Sequence, residues 1–269
     1  MIRSDLHMHT VYCDGVDTPE DMILTALKKG LTAIGFSGHS YVPCEKGYCM
    51  SPQRTAAYRR EIVRLKEKYA GQIKVFCGTE QDILSNIPKQ PYDYSIGSVH
   101  FVPYGNGFYP VDWTEEKYKA AAQELFGGDL VEYAVYYYSI VAGVYDKTKC
   151  NIIGHFDLPS KFNEKSRIYD LNDARYVFAW QSAADRIIAG MKADGKTPLF
   201  EINTGAISRG YRTEPYPSNE IMQYLKDRGA KFVLSSDAHS KENIAYGFEE
   251  WYDKLSKEGF EIINFLDEL

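Results

Sequence analysis

Short apolar runs alternate along the whole chain with longer stretches of helical periodicity. The runs cover residues 2–7, 33–37, 73–77, 94–99, 151–154, 199–203 and 231–235, and their length and branched or aromatic content predict strands. Helices are predicted between them at 22–29, 53–69, 114–145, 171–193, 218–228 and 241–257. The first has explicit ends. Thr18 is placed to cap, Pro19 opens the first turn, Glu20 and Asp21 follow, and Gly30 stops it. Strand–helix alternation of this kind builds a parallel sheet or barrel. Seven such units predict a (β/α)7 barrel, and a last β-like run at 260–265 is either an eighth strand or an added edge.

No repeat, low-complexity tract or charge block divides the sequence, so residues 1–269 are expected to form a single barrel domain; such barrels commonly occupy about 250 residues. The segments 40–53 and 103–113, with their prolines and glycines, are expected to be loops long enough to cover a site.

Composition narrows the partners. The formal net charge is −6 and the pI about 5.6, so no global field draws the chain to nucleic acid or to an anionic membrane. No apolar stretch approaches the roughly 20 residues that cross a bilayer, and no signal-peptide pattern opens the sequence. Five irregularly spaced cysteines fit free thiols, and with them a cytoplasmic location. Cys44 and Cys49 resemble half of a zinc knuckle, but no second pair follows at ligand spacing.

The chemistry is carried by the strand ends. All six histidines stand where an apolar run finishes: His7 and His9, His39, His100, His155, and His239 beside Asp237. Glu80 occurs at an equivalent place, whereas Asp14 followed by Gly15 reads by itself as a turn. In a (β/α) barrel the C-terminal strand ends meet in one ring, so these residues become neighbours. His7 and His9 are two apart, and on an extended strand they point to one face. An isolated His-x-His is often a satisfied pair; here the recurrence in other units points to a multinuclear metal site with hydrolytic chemistry.

His7-Met8-His9-Thr10 with Asp14-Gly15, Gly38-His39, Gly78-Thr79-Glu80, Ser98-Val99-His100, Gly154-His155 and Ser236-Asp237-Ala238-His239 resemble, in order, the motifs of the PHP (polymerase and histidinol phosphatase) superfamily. Glu201-Ile202-Asn203-Thr204, Arg209 and Glu214-Pro215-Tyr216-Pro217 are similar to its monofunctional histidinol-phosphate phosphatases. The resemblance implies a distorted (β/α)7 barrel with three divalent ions, Zn, Mn or Fe, at the C-terminal ends of the strands. His7, His9, Glu80 and Asp237 would hold the first; Glu80, His100 and His155 the second; Asp14, His39 and His239 the third. Cys13 stands where many members carry serine.

The implied reaction is hydrolysis of a small phosphomonoester, L-histidinol phosphate. Two ions sharing Glu80 would lower the pKa of a water toward about 7 and aim it at phosphorus. Asp237 or His239 would then deliver the leaving-group proton. Arg209 is the first choice for a phosphate ligand and Lys161 the second, ahead of Arg54 and Arg212. Tyr41, Tyr48, Tyr104 and Tyr211 are candidates to stack on an imidazole. The rival reading is a related phosphoesterase acting on nucleotides, nucleic-acid ends or phosphotyrosine proteins. An amidohydrolase is disfavoured because no lysine stands at a middle strand end. The oligomeric state is left open.

Overall fold

Among the described residues nine strands occur in chain order: β1 (Ser4–Asp5), β2 (Ala33–Phe36), β3 (Lys74–Asp82), β4 (Tyr94–Ser98), β5 (Phe101–Tyr104), β6 (Gly107–Pro110), β7 (Ile152–Ile153), β8 (Leu199–Asn203) and β9 (Lys231–Ser235). They belong to a computed structural model that describes residues 3–86 and 90–264. Seven of them form one all-parallel sheet in the order β1-β2-β3-β4-β7-β8-β9. The sheet closes just past the strands. Met8 and Ala238 form a parallel bridge in which the His9 N–H donates to the Ala238 carbonyl (2.9 Å) and the Ala238 N–H to the His7 carbonyl (3.2 Å). The result is a distorted, nearly closed barrel of seven strands, as the strand–helix alternation predicts.

Inside the barrel Leu6, Tyr94, Ile96, Ile152, Leu199 and Val233 pack with Ile263. Tyr94 spans this interior, its hydroxyl donating to the Leu6 carbonyl. Room for the ring comes from two glycines on neighbouring strands: a Cβ on Gly35 would lie 2.4 Å from the Tyr94 hydroxyl, and one on Gly78 2.4 Å from ring carbons. Around the barrel run helices whose starts follow from local chemistry. Thr18, Ser51, Thr114 and Asp129 each accept a backbone N–H of the first turn of the helices Pro19–Lys28, Pro52–Lys68, Glu115–Phe126 and Leu130–Val141. No helix among the described residues is long and apolar enough to cross a membrane.

Four differences from the sequence reading have local causes. The single helix predicted at 114–145 is three, Glu115–Phe126, Leu130–Val141 and Val144–Thr148. Gly127 and Gly128 adopt φ of 61° and 93°, which ends the first, and Asp129 then caps the second. The helix predicted at 241–257 begins at Phe248, after positive φ at Ala245 (52°) and Gly247 (69°), and only a 3₁₀ turn, Lys241–Asn243, precedes it. The expected loop 103–113 is largely the antiparallel hairpin β5–β6, turned at Gly105 with φ 55°. The described residues of the run 260–265 form no strand, and one parallel bridge, Ile262 to Phe232, joins them to β9. Residue 265 of that run, like residue 2 of the first strand prediction, lies outside the described residues.

Because Tyr94 leaves no space above Gly78, Gly78→Ala should destabilise the fold by about 1–3 kcal/mol. Urea unfolding measures it, and a change under about 0.5 kcal/mol would show that the ring moves aside freely.

Candidate metal centre

Six imidazoles and three carboxylates meet at the C-terminal mouth of the barrel. His7 and His9 flank the closing bridge after β1, and Asp237 and His239 flank it after β9. Glu80 stands within β3, paired by a parallel bridge to His39. His100 follows β4 and His155 follows β7. The sequence reading ended the third strand at residue 77; it continues to Asp82, and this extension sets Glu80 in the middle of the ring.

Glu80 is 1% exposed and touches five imidazoles. Its Oε1 lies 2.8 Å from His155 Nε2 and 3.2 Å from His100 Nε2. Its Oε2 lies 2.7 Å from His39 Nδ1, 3.4 Å from His7 Nε2 and 3.6 Å from His9 Nε2. Asp237 Oδ1 approaches His9 Nε2 at 3.2 Å and His7 Nε2 at 3.8 Å. Asp14 gathers the remaining group, with His239 Nε2 at 3.3 Å, His39 Nε2 at 3.6 Å and His9 Nδ1 at 3.7 Å. The nine residues expected as metal ligands therefore all converge.

Several of these separations exceed hydrogen-bond length, and His7 Nε2 and His9 Nε2 are buried without a hydrogen-bond partner. Orphaned buried donor and acceptor atoms are costly. His7, His9 and Glu80 present ligand atoms within 4.8 Å of one another, as do His39, Glu80 and His100, and as do His9, Asp14, His39 and His239. A divalent cation bound by imidazole and carboxylate satisfies such atoms, so the residues fit the metals that the sequence motifs imply.

The charges tell the same story. Burial alone would raise the Glu80 carboxyl, but His39, His100 and His7 hold it well below the usual carboxylate range. Burial also opposes protonation of His39, yet Glu80 and Asp14 outweigh it and push the ring up to about 9. His9 goes the other way, to about 3, because burial and the neighbouring His39 and His239 all disfavour its cation. Without metal, protons on some of these rings balance the carboxylates. A divalent ion can replace them.

A second layer fixes the rings, and the sequence reading assigned it no site role. Glu201 on β8 accepts from His7 Nδ1 (2.7 Å), from the His155 N–H (2.5 Å) and from Asn203 Nδ2 (2.9 Å). Asp82 accepts both His100 Nδ1 and the His100 N–H at 3.1 Å. The two ring bonds, from His7 Nδ1 and His100 Nδ1, turn the other ring nitrogen, Nε2, toward the centre. The signals were present: Glu201 is a carboxylate inside an apolar strand, and Asp82 shares a strand face with Glu80. Asp237 adopts φ 48°, and a Cβ on Gly205 would meet its side chain at 2.8 Å, so glycine there makes room for it.

Of the predicted phosphate ligands, Arg209 and Lys161 line the same cleft as Asp14, His39, His100, His155, Asp237 and His239. Arg209 donates to Asp237 Oδ2 at 3.1 Å and to its carbonyl at 2.9 Å. Arg212 is instead buried against Asp157 (3.6 Å) and Ser160 (2.5 Å), and Arg54 donates to the Val11 carbonyl. Of the four tyrosines only Tyr48 lines the cleft, its ring 4.7 Å from that of His39. Tyr104 packs on Phe126 and Tyr136, and Tyr211 sits over Lys161 outside the lining. Phe101, Asp112, Trp113, Leu158 and Tyr216 complete the walls. Cys44 and Cys49 do not pair with other ligands, and their thiols are free.

Fold and site together define a barrel built around a cluster of metal-ligand side chains. The chain belongs to the PHP domain family, whose profile matches residues 5–205. A relative named "Probable histidinol-phosphatase" from Deinococcus radiodurans is 27% identical, the match covering 97% of this chain and 95% of that one. The histidinol-phosphatase of Bacillus subtilis is 26% identical over 94% of this chain and all of its own (100%). The fold resembles that of the histidinol phosphate phosphatase of Lactococcus lactis, solved with zinc, L-histidinol and phosphate: TM-score 0.71, 20% identity, 97% of this chain and 95% of that one covered.

Removing the carboxylate behind His7 should loosen the metal without removing a direct ligand. Glu201→Gln should weaken metal affinity by about 10–100-fold. Competition with a chelator of known affinity measures this, and an unchanged affinity would make Glu201 a purely structural strand residue.

Proposed function

We propose that the chain is a metal-dependent phosphomonoesterase that hydrolyses L-histidinol phosphate to L-histidinol and phosphate, a step of histidine biosynthesis, in the cytoplasm. The observation that carries the reading is the cleft in which Arg209 and Lys161 stand beside Asp14, His39, His100, His155, Asp237 and His239, over the buried His7, His9 and Glu80 that these imidazoles and carboxylates surround. The names of the full-length relatives support the substrate. The acidic net charge of −6 and a mouth bordered by the β5–β6 hairpin favour a small substrate over nucleic acid or a protein.

Three divalent ions, Zn, Mn or Fe, would be held as follows: the first by His7, His9, Glu80 and Asp237, the second by Glu80, His100 and His155, the third by Asp14, His39 and His239. Bound ions supply an activated water near neutral pH and charge to offset the phosphoryl oxygens. The chain's own groups do the rest. Arg209 offers a planar fork to a phosphoryl oxygen and Lys161 a point charge. Asp237 is held well below the usual carboxylate range because Arg209, His7 and His9 outweigh its burial, so it remains an acceptor. That leaves His239, half-buried at the cleft, as the group to hand a proton to the departing alkoxide.

Steady-state rates on a panel test the reading: L-histidinol phosphate beside serine phosphate, tyrosine phosphate, nucleoside monophosphates and a diester. Histidinol phosphate should have the highest kcat/KM, and exhaustive chelation should abolish turnover. A nucleotide or diester at the top would replace the substrate assignment.

Because Glu80 is assigned to two ions, Glu80→Gln should lower kcat by at least about 10³-fold, or about 4 kcal/mol. A variant keeping more than about a tenth of the wild-type kcat would put the bridge elsewhere. Arg209→Ala should raise KM and lower kcat by similar factors for every phosphomonoester, since phosphate is common to all, and lysine there should restore only part. A change confined to one substrate would instead show that Arg209 reads the leaving group.

A further inference from the structure

The cleft holds one further carboxylate, Asp112, set apart from the imidazole cluster. It follows the β5–β6 hairpin, between Val111, whose N–H donates to the His100 carbonyl (3.0 Å), and Trp113. Asp14 and Asp237 are committed to the imidazoles and to Arg209. Asp112 instead faces Lys161, whose Nζ donates to Oδ2 at 3.2 Å and to the Asp112 carbonyl at 2.5 Å. Its side chain keeps 24% of its surface open, so the carboxylate is reachable from the cleft. Burial would raise its pKa, but Lys161, His100 and His155 lower it, and the group stays ionised.

Lys161 has two claims on it in the proposed reaction. Its ammonium cannot turn to a phosphoryl group and still satisfy Asp112. A half-buried carboxylate that loses its counter-ion is costly unless another cation replaces it. The other cationic groups of the cleft are already engaged, Arg209 by Asp237 and His100 and His155 by Glu80, and the adjoining walls, Tyr48, Phe101, Trp113 and Tyr216, are aromatic. The replacement must arrive on the substrate.

We infer that Asp112 is a specificity-determining residue that binds an ammonium group on the leaving alcohol, so that the cleft selects phosphomonoesters of amino alcohols over those of neutral alcohols. The inference rests on the phosphatase reading and adds a charge requirement to it. Phosphate bound at the ions draws Lys161 inward, and the ammonium of the same molecule takes the place it leaves.

Matched substrates that differ only in the amine test this on the metal-loaded enzyme: L-histidinol phosphate against 3-(imidazol-4-yl)propyl phosphate, and 2-aminoethyl phosphate against ethyl phosphate. The wild type should prefer the amine of each pair by at least about tenfold in kcat/KM, mainly through KM. Asp112→Asn should shrink that ratio toward one. No preference in the wild type overturns the inference. So does an equal loss on both members in Asp112→Asn, which would make Asp112 a positioning residue for Lys161. If that variant does not fold, inhibition of the wild type decides: L-histidinol should bind more tightly than 3-(imidazol-4-yl)propanol, and equal inhibition constants contradict the inference. Failure of the wild type to turn over any of the four esters would instead refute the phosphatase reading on which it rests.

Discussion

The structure depends on one buried carboxylate. Glu80 lies at 1% exposure in contact with His7, His9, His39, His100 and His155, which come from four separate places along the chain. A carboxylate so placed is tolerable only if positive charge is always present, as protons on the rings or as bound cations. Protons are only part of the answer: Glu80 and Asp14 push His39 up to about 9, but burial and the neighbouring His39 and His239 drive His9 to about 3. Divalent ions are the better one, since they meet the unpartnered nitrogens of His7 and His9 as well as the charge.

Fold and site share a seam. Among the described residues the barrel closes from β9 to β1 through the Met8–Ala238 bridge, and the residues on either side of it are His7, His9, Asp237 and His239. Asp5 reinforces the seam, its buried carboxylate accepting the N–H groups of Ser236 (3.1 Å) and Ala245 (2.9 Å). Ions shared between the two flanks would tie the last strand to the first. Metal binding would therefore contribute to barrel closure and not only to chemistry.

Much of this was legible in the sequence. Strands β8 and β9 fall where the apolar runs place them, and every histidine at a strand end reaches the mouth. What escaped depended on contacts between distant segments. Glu201 reads as a strand residue until His7, 194 positions away, donates to it. Asp112 sat in a segment taken for a loop, and only the hairpin turn at Gly105 brings it to Lys161. Tyr104 and Tyr211 satisfied the same composition rule as Tyr48 but are engaged by Phe126 and Tyr136 and by Lys161. The helix breaks at Gly127–Gly128 and Gly247 were written locally, in glycines that periodicity alone passed over.

The central claim is that Glu80 is shared between two bound ions. Anomalous diffraction from crystals of the metal-loaded protein, recorded above and below the absorption edge of the bound metal, tests it most directly. The account requires three peaks, two of them within reach of Glu80 on the His7/His9 and His100/His155 sides, and the third beside Asp14, His39 and His239. A single peak, or peaks that leave Glu80 without an ion, would contradict it.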